Sequence, residues 1–307
     1  MNASTVLSSP APAGTAALAV PSPPAWRRWL RRVLGQRGLV LGAVVLALAA
    51  IAALLAPWIS PHDPYTQDVT QRLIPPVWHA KGSCEHVLGT DKLGRDYLSR
   101  LIYGARVSLL IGLLTALIAG TIGTTLGVLA GYFGGKVDAV ISYIITTRLA
   151  MPVVLVALAM ASLVGGSLQV VIVLLGLLLW DRFAIVTRSA TQQLRDAEFI
   201  AAAKALGAST PYILVRELLP NLMSALTVVA TLEMAHAILL ESTLSFLGLG
   251  VQPPTPSWGL MVAEGKAYMF FQPWVILIPG VVLAVLVLAI NLVGDGLRDL
   301  TAPDGRN

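Results

Sequence analysis

The chain has 307 residues, 56% of them hydrophobic and 12% charged, with a formal net charge of +5. That charged share is about half of the ~25% usual in a soluble domain, and several apolar runs reach the ~20 residues that carry a helix across a bilayer; the class is an all-α integral membrane protein. One cysteine, Cys84, excludes an intrachain disulfide and a multi-cysteine zinc site, and the basic excess reads as the cytoplasmic flanks of membrane spans rather than a nucleic-acid surface.

Residues 1–25 are rich in Ala, Pro and Ser and read as a disordered cytoplasmic tail, which the basic segment WRRWLRRVLGQR extends to residue 38. A first membrane helix is expected over 39–57. Its run covers a full bilayer and ends in LLAPW, a poor cleavage site, so it is read as an uncleaved span rather than a signal peptide. Residues 58–104 balance their charges and read as an external loop. Its last part, Gly94 to Tyr103, shows Leu98, Leu101 and Ile102 on one face, with Arg95, Asp96 and Arg100 mostly elsewhere, and is expected to be an amphipathic helix lying on the membrane surface.

A permease-sized core of five further spans is expected from 105 to 300: about 107–132, 137–163, 170–191, 222–247 and 275–297, with a short tail over 301–307. Pro152 falls inside the third span, where neighbouring helices can re-satisfy the freed backbone groups. Gly123, Gly127 and Gly131, beside a stripe of Gly112, Ala116 and Gly120, give the second span small residues every fourth position. Such stripes let helices approach closely, and packing within the chain is the preferred reading. An external loop is expected over 248–274, its prolines, Trp258 and Phe270-Phe271 suiting a stiff flap at the interface. Six spans return the C-terminus to the side of the basic N-terminus, so both termini and the segment over 195–220 are expected to be cytoplasmic.

That segment carries EFIAAAKALGASTPYILVRELLPN, Glu198 to Asn221. Phe199, Ala202, Ala203 and Leu206 fall at i, i+3, i+4 and i+7, one face of a helix. Gly207 follows as the usual helix stop, and Thr210-Pro211 reads as the N-cap and first residue of a second helix ending near Leu218, before Pro220 opens the next span. A helix–turn–helix between two spans fits either an interfacial hairpin on lipid or a plug for a groove in another protein.

The segment resembles the cytoplasmic signature of ATP-binding-cassette importer permeases: Ala201-Ala202-Ala203, Gly207, Ile213 and Leu219-Pro220 match its pattern, with Ala201 where the family has glutamate. HVLGTDKLGRDYLSRLIYGARVSL, ESTLSFLGLGVQPPTPSWG and NLVGDGLRDLTAPDGR are similar to further blocks of one branch, the C-type subunits of dipeptide, oligopeptide and nickel importers. The resemblance implies a type I permease fold of six spans in the bacterial inner membrane. It implies a second homologous permease, one or two ATP-binding subunits holding ATP and Mg, and a substrate-binding protein as partners beside membrane lipid. It also implies that Phe199, Ala201, Ala202, Ala203, Leu206, Gly207, Ile213, Leu219 and Pro220 couple to the ATPase. The cargo it implies is a di- or oligopeptide, with nickel or another small solute as the alternative.

No GxxxxGK[ST] phosphate loop is present, so ATP hydrolysis belongs on another polypeptide and no cofactor is expected on this chain. An ion-coupled secondary transporter is the rival, and it needs an ion site in repeated broken helices; a membrane enzyme needs a nucleophile–base or metal constellation that the scattered acidic residues and the four histidines do not form, since His62, His79, His86 and His236 make no close-spaced ligand pair and His236, in the fifth span, has no recognisable partner ligand. Ionisable residues at membrane depth are costly and mark functional sites. Arg148, Asp181, Arg182 and Glu233 fall at one depth, and Arg148 is expected to pair with Glu233 or Asp181 in a layer that either lines a path or only fixes the packing.

Overall fold

The computed structural model describes residues 34–301; of the tails expected over 1–38 and 301–307, residues 1–33 and 302–307 lie outside them, and the N-terminal tail is shorter than expected, since the first span already begins at Arg37. Among the described residues the principal helices, in chain order, are α1 (Arg37–Leu54), α2 (Tyr97–Phe133), α3 (Gly135–Leu149), α4 (Val153–Val164), α5 (Leu168–Leu178), α6 (Asp181–Leu194), α7 (Glu198–Ala205), α8 (Thr210–Phe246), α9 (Trp258–Gly265) and α10 (Trp274–Thr301). The only β pairing among them is one isolated bridge, Thr90 with Asp96. Five helical stretches are long and apolar enough to cross a membrane, and the bent pair α3–α4 brings the number to six. Apolar side chains left exposed along α1, α2 and α10, among them Leu41, Leu117 and Leu288, suit a hydrocarbon surround.

Helix α2 is the hub, lying against α6, α8, α5 and α1. The glycine stripe explains how. A Cβ at Gly127 would stand 2.0 Å from Thr187 Oγ1 and 2.4 Å from the Ala184 carbonyl, and one at Gly123 would stand 2.2 Å from the Trp180 carbonyl. The stripe therefore seats α6 within this chain, as its spacing suggested. Gly127→Leu is expected to force α2 and α6 apart, at a cost of about 3 kcal/mol or more. A lowered melting temperature of the purified chain would register it, and an unchanged melt would refute this packing.

Three sequence expectations need correction. The stretch over 94–103 is no surface helix: α2 begins at Tyr97, so it runs through the boundary expected at 104–105. The charges that suggested a surface, Arg95, Asp96 and Arg100, are buried, because Asp91 and Glu264 meet the two arginines and Asp96 Oδ2 caps α2 by accepting from Ser99 N at 2.8 Å. Second, the third span does not run through Pro152; α3 and α4 are bent by 83° around Ala150–Pro152. Proline removes an amide hydrogen and excludes helical geometry from the residue before it. Third, Trp258 does not rest at an interface. It is buried, its Nε1–H donating to the Leu101 carbonyl at 2.8 Å, while Phe270 and Phe271 remain exposed.

The loop between α1 and α2 is folded rather than loose. Backbone bonds join Leu73 N to Asp91 O, Thr90 N to Ile74 O and Val77 N to Val87 O. Gly94 sits at φ +74°, and a Cβ there would meet the Asp68 carbonyl at 1.7 Å; only glycine allows that turn and that approach.

Candidate functional site

Two places in the fold have chemistry that packing alone does not require. One is a polar cavity inside the bundle and the other is a hairpin at one end of it.

The cavity, about 260 Å³, gathers all four intramembrane residues singled out from the sequence, Arg148, Asp181, Arg182 and Glu233, and adds His236. Its position follows from two broken helices. The α3–α4 bend supplies Arg148, Met151 and Pro152, and the break between α5 and α6 supplies Leu179, Asp181 and Arg182. A helix end leaves carbonyls without intrahelical partners; here the Leu178 carbonyl accepts from the Arg148 guanidinium. Irregular backbone at membrane depth is tolerated where it is buried in protein or lines a cavity.

The pairing differs from the expectation. Glu233 takes Arg182, not Arg148: Arg182 Nη1 lies 3.1 Å from Glu233 Oε1, and His236 Nδ1 lies 3.4 Å from Glu233 Oε2. Asp181 Oδ1 instead accepts from Arg182 N at 2.9 Å, at the start of α6. Sequence depth was right and azimuth was not, since counting residues gives height along a helix but not which neighbour it faces. Glu233 lies midway along Leu219–Phe246, about 20 Å from either end at ~1.5 Å rise per residue. Its side chain is 1% exposed while that of Arg182 is 57% exposed, so the pair has one fixed and one free member. Two buried polar atoms of this cavity, Arg148 Nε and Glu233 Oε1, make no aligned hydrogen bond. His236 was set aside at the sequence level for want of a partner; its signal was its three-residue spacing from Glu233 on one helix face.

The hairpin is α7, the turn at Gly207 and the first turns of α8. Gly207 has φ +80°, the left-handed stop that its position predicts. Ser209, rather than Thr210, stands at the N-cap position, with Thr210 and Pro211 in the first turn. The second helix does not end at Leu218. It passes through a π-helical turn, Ile213–Leu218, in which Leu219 N donates to the Leu214 carbonyl five residues back, and continues to Phe246. The widened turn absorbs Pro220, which lacks an amide hydrogen and would crowd the preceding turn of a regular helix.

Residues expected to couple divide by burial. Phe199, Ala201, Ala202, Leu206, Gly207 and Pro220 are exposed, Ala203 and Leu219 are half-buried, and Leu206 is 89% exposed. Ile213 is only 1% exposed. It belongs instead to a small core with Ile200 and Leu218, packed on Tyr132 and Leu194, that holds the hairpin together. Ile200 was missed because the exposed face Phe199–Leu206 carries the stronger apolar pattern. The hairpin is fastened to the bundle by Lys204 over the Tyr132 ring, 5.3 Å from its centroid, and by Arg195 Nη1 donating to the Gly131 carbonyl at 3.3 Å. Just above, Arg188 Nη2 donates to Asp138 Oδ2 at 2.7 Å, joining α6 to α3.

Residues 123–306 match the family described as binding-protein-dependent transport system inner membrane component, and residues 25–76 match the N-terminal transmembrane domain of oligopeptide transport permease C. Among curated proteins, the di/tripeptide transport system permease protein DppC of Pseudomonas aeruginosa is 39% identical over 97% of each chain. The dipeptide transport system permease protein DppC of Escherichia coli is 41% identical over 87% of this chain and 89% of the relative. Among solved structures, an inward-facing form of the MetNI methionine ABC transporter aligns with a TM-score of 0.56 at 21% identity, covering 67% of this chain and 98% of the other.

Proposed function

The chain belongs to the binding-protein-dependent transport system inner membrane components, the permease subunits of ABC importers, and from that premise we propose that it carries di- or oligopeptides across the inner membrane. As a multi-pass permease it is not an enzyme; ATP is hydrolysed on separate subunits. In the proposed assembly a second homologous permease completes the path, ATPase subunits holding ATP and Mg grip the α7–α8 hairpin from the cytoplasm, and a binding protein delivers cargo to the opposite side. Both termini are then cytoplasmic.

The observation that carries this reading is mechanical. The hairpin is exposed, yet it runs without interruption through α8 to Glu233, and through α6 to Asp181 and Arg182 after the short link over 195–197. A push on it reaches the polar cavity through two rigid helices. The cavity offers charges of both signs beside weakly held polar atoms, which suits a solute with an ammonium and a carboxylate end, as a peptide has. Shape and charge agree with the names of the relatives, and those names carry the choice of peptide over nickel or another solute.

The test is ATP-driven uptake of a labelled dipeptide by vesicles containing the whole assembly. Glu233→Gln and Arg182→Ala are expected to lower uptake at least tenfold at normal membrane levels. Uptake unchanged in both variants would remove the cavity from the path, and uptake driven by an ion gradient without ATP would remove the importer reading.

A further inference from the structure

The loop between α1 and α2 brings together three side chains that lie far apart in sequence. His86 Nδ1 is 2.8 Å from Asp96 Oδ1, and His62 Nδ1 is 3.7 Å from the same oxygen. The ligating atoms of the three all lie within 4.8 Å of one another. No histidine pair stands at metal-ligand spacing in the sequence; the loop's own fold makes the cluster. His62 follows the end of α1, with its backbone N–H donating to Ser99 Oγ at 3.1 Å, and Asp96 caps α2.

Three features point to a cation there. His62 Nδ1 is shielded from solvent and has no hydrogen-bond partner, although the ring as a whole is half-exposed. Asp96 spends Oδ2 on capping α2, which leaves Oδ1 for the two imidazoles. The surrounding cavity, about 270 Å³, is also faced by Asp63, Asp68 and Glu85, with no lysine or arginine in its wall. Four carboxylates with no lysine or arginine among them give a potential that attracts positive charge.

We propose that His62, His86 and Asp96 bind one divalent transition-metal ion of the zinc or nickel kind. Imidazole nitrogen and carboxylate oxygen are the donors such ions take, and the open side of the cavity leaves room for water as a further ligand. Gln71 Oε1 lies 2.8 Å from His86 Nε2. Accepting the Nε2 proton there, it fixes the tautomer that turns the Nδ1 lone pair inward, a common support for a ligating histidine. The ion clasps the end of the first span to the start of α2. This site is independent of the transport reading, since it lies in a different part of the chain from both the hairpin and the polar cavity.

The test uses the intact assembly, purified through a tag that contains no histidine, stripped with chelator and titrated with Zn²⁺ alone, the metal retained per chain being counted after gel filtration. Wild type is expected to hold one more ion than His62→Gln, and His86→Gln to bind at least tenfold more weakly than wild type. His79→Gln, on the exposed part of the same loop, is expected to leave binding unchanged. His62→Gln is the decisive variant, because its Nδ1 makes no hydrogen bond in the fold and its loss leaves the loop standing. Equal retention by wild type and His62→Gln would overturn the site, as would an equal loss in His79→Gln.

Discussion

Leu206→Asp is expected to abolish ATP-driven uptake while the chain stays folded in the membrane. Leu206 caps α7 immediately before the Gly207 turn and is 89% exposed, so its replacement removes little packing within the chain. A large apolar side chain held at the tip of a rigid hairpin is the kind of anchor that fills a partner's groove. Such anchors dominate binding, and truncating one costs about 2 kcal/mol or more, roughly thirtyfold in affinity. Aspartate adds the cost of carrying a charge into that groove. Ile213→Ala is the informative contrast. Its side chain is sealed with Ile200 and Leu218, so the expected result is a loosened hairpin and about 2–4 kcal/mol of lost stability. Copurification of the ATPase, set beside melting temperature, separates the two: Leu206→Asp should lose the ATPase and keep the melt, and Ile213→Ala should lower the melt. Retention of both uptake and ATPase by Leu206→Asp would exclude the hairpin as the grip.

The parts of this fold that sequence made legible are those fixed by short-range pattern. Apolar runs gave the spans, the four-residue glycine spacing gave the seat of α6, and Gly207 gave the turn of the hairpin. What escaped depends on partners distant in the chain. Arg95 and Arg100 looked like the wet face of a surface helix because Glu264, which satisfies both, comes from α9. Arg182 rather than Arg148 meets Glu233 because Arg182, at the start of α6, reaches across to α8 while Arg148 turns to the Leu178 carbonyl, and apolar periodicity does not say which neighbour a charged residue faces. Pro220 suggested a boundary by the usual rule, and the π-helical turn before it carries the helix through. His62 and His86 were dismissed on spacing, a test suited to ligands on one helix and blind to a loop that folds back on itself.

The buried charges at the other end of the bundle set the last prediction, Asp91→Ala, which is expected to destabilise the protein by about 3–5 kcal/mol. Arg95 Nε lies 2.6 Å from Asp91 Oδ2 and Arg100 Nη1 lies 2.7 Å from the same oxygen; the two guanidiniums also reach Glu264 at 3.1 and 2.8 Å. Both arginines are almost wholly buried. Asp91 further accepts the backbone amides of Leu93 and Arg95, so its removal leaves two guanidiniums sharing Glu264 alone and takes the acceptor from two N–H groups at once. Glu264 is the weaker partner. Burial pushes its carboxyl up from the ordinary range, and Arg95 and Lys92 pull it back. A folded-state pKa raised above the unfolded one means that this group favours the fold below its unfolded pKa and gives that up as pH rises through the folded value. Glu264→Gln, close in shape to the protonated form, should therefore cost less than Asp91→Ala. Arg100→Met combined with Glu264→Met should cost less than the two single changes added together, because each single change leaves a buried charge unpaired. Thermal unfolding of the purified assembly measures all of these. If Asp91→Ala melted with the wild type, the cluster would not be what binds α9 to the start of α2, and the loop that the proposed assembly presents to its binding protein would need another anchor.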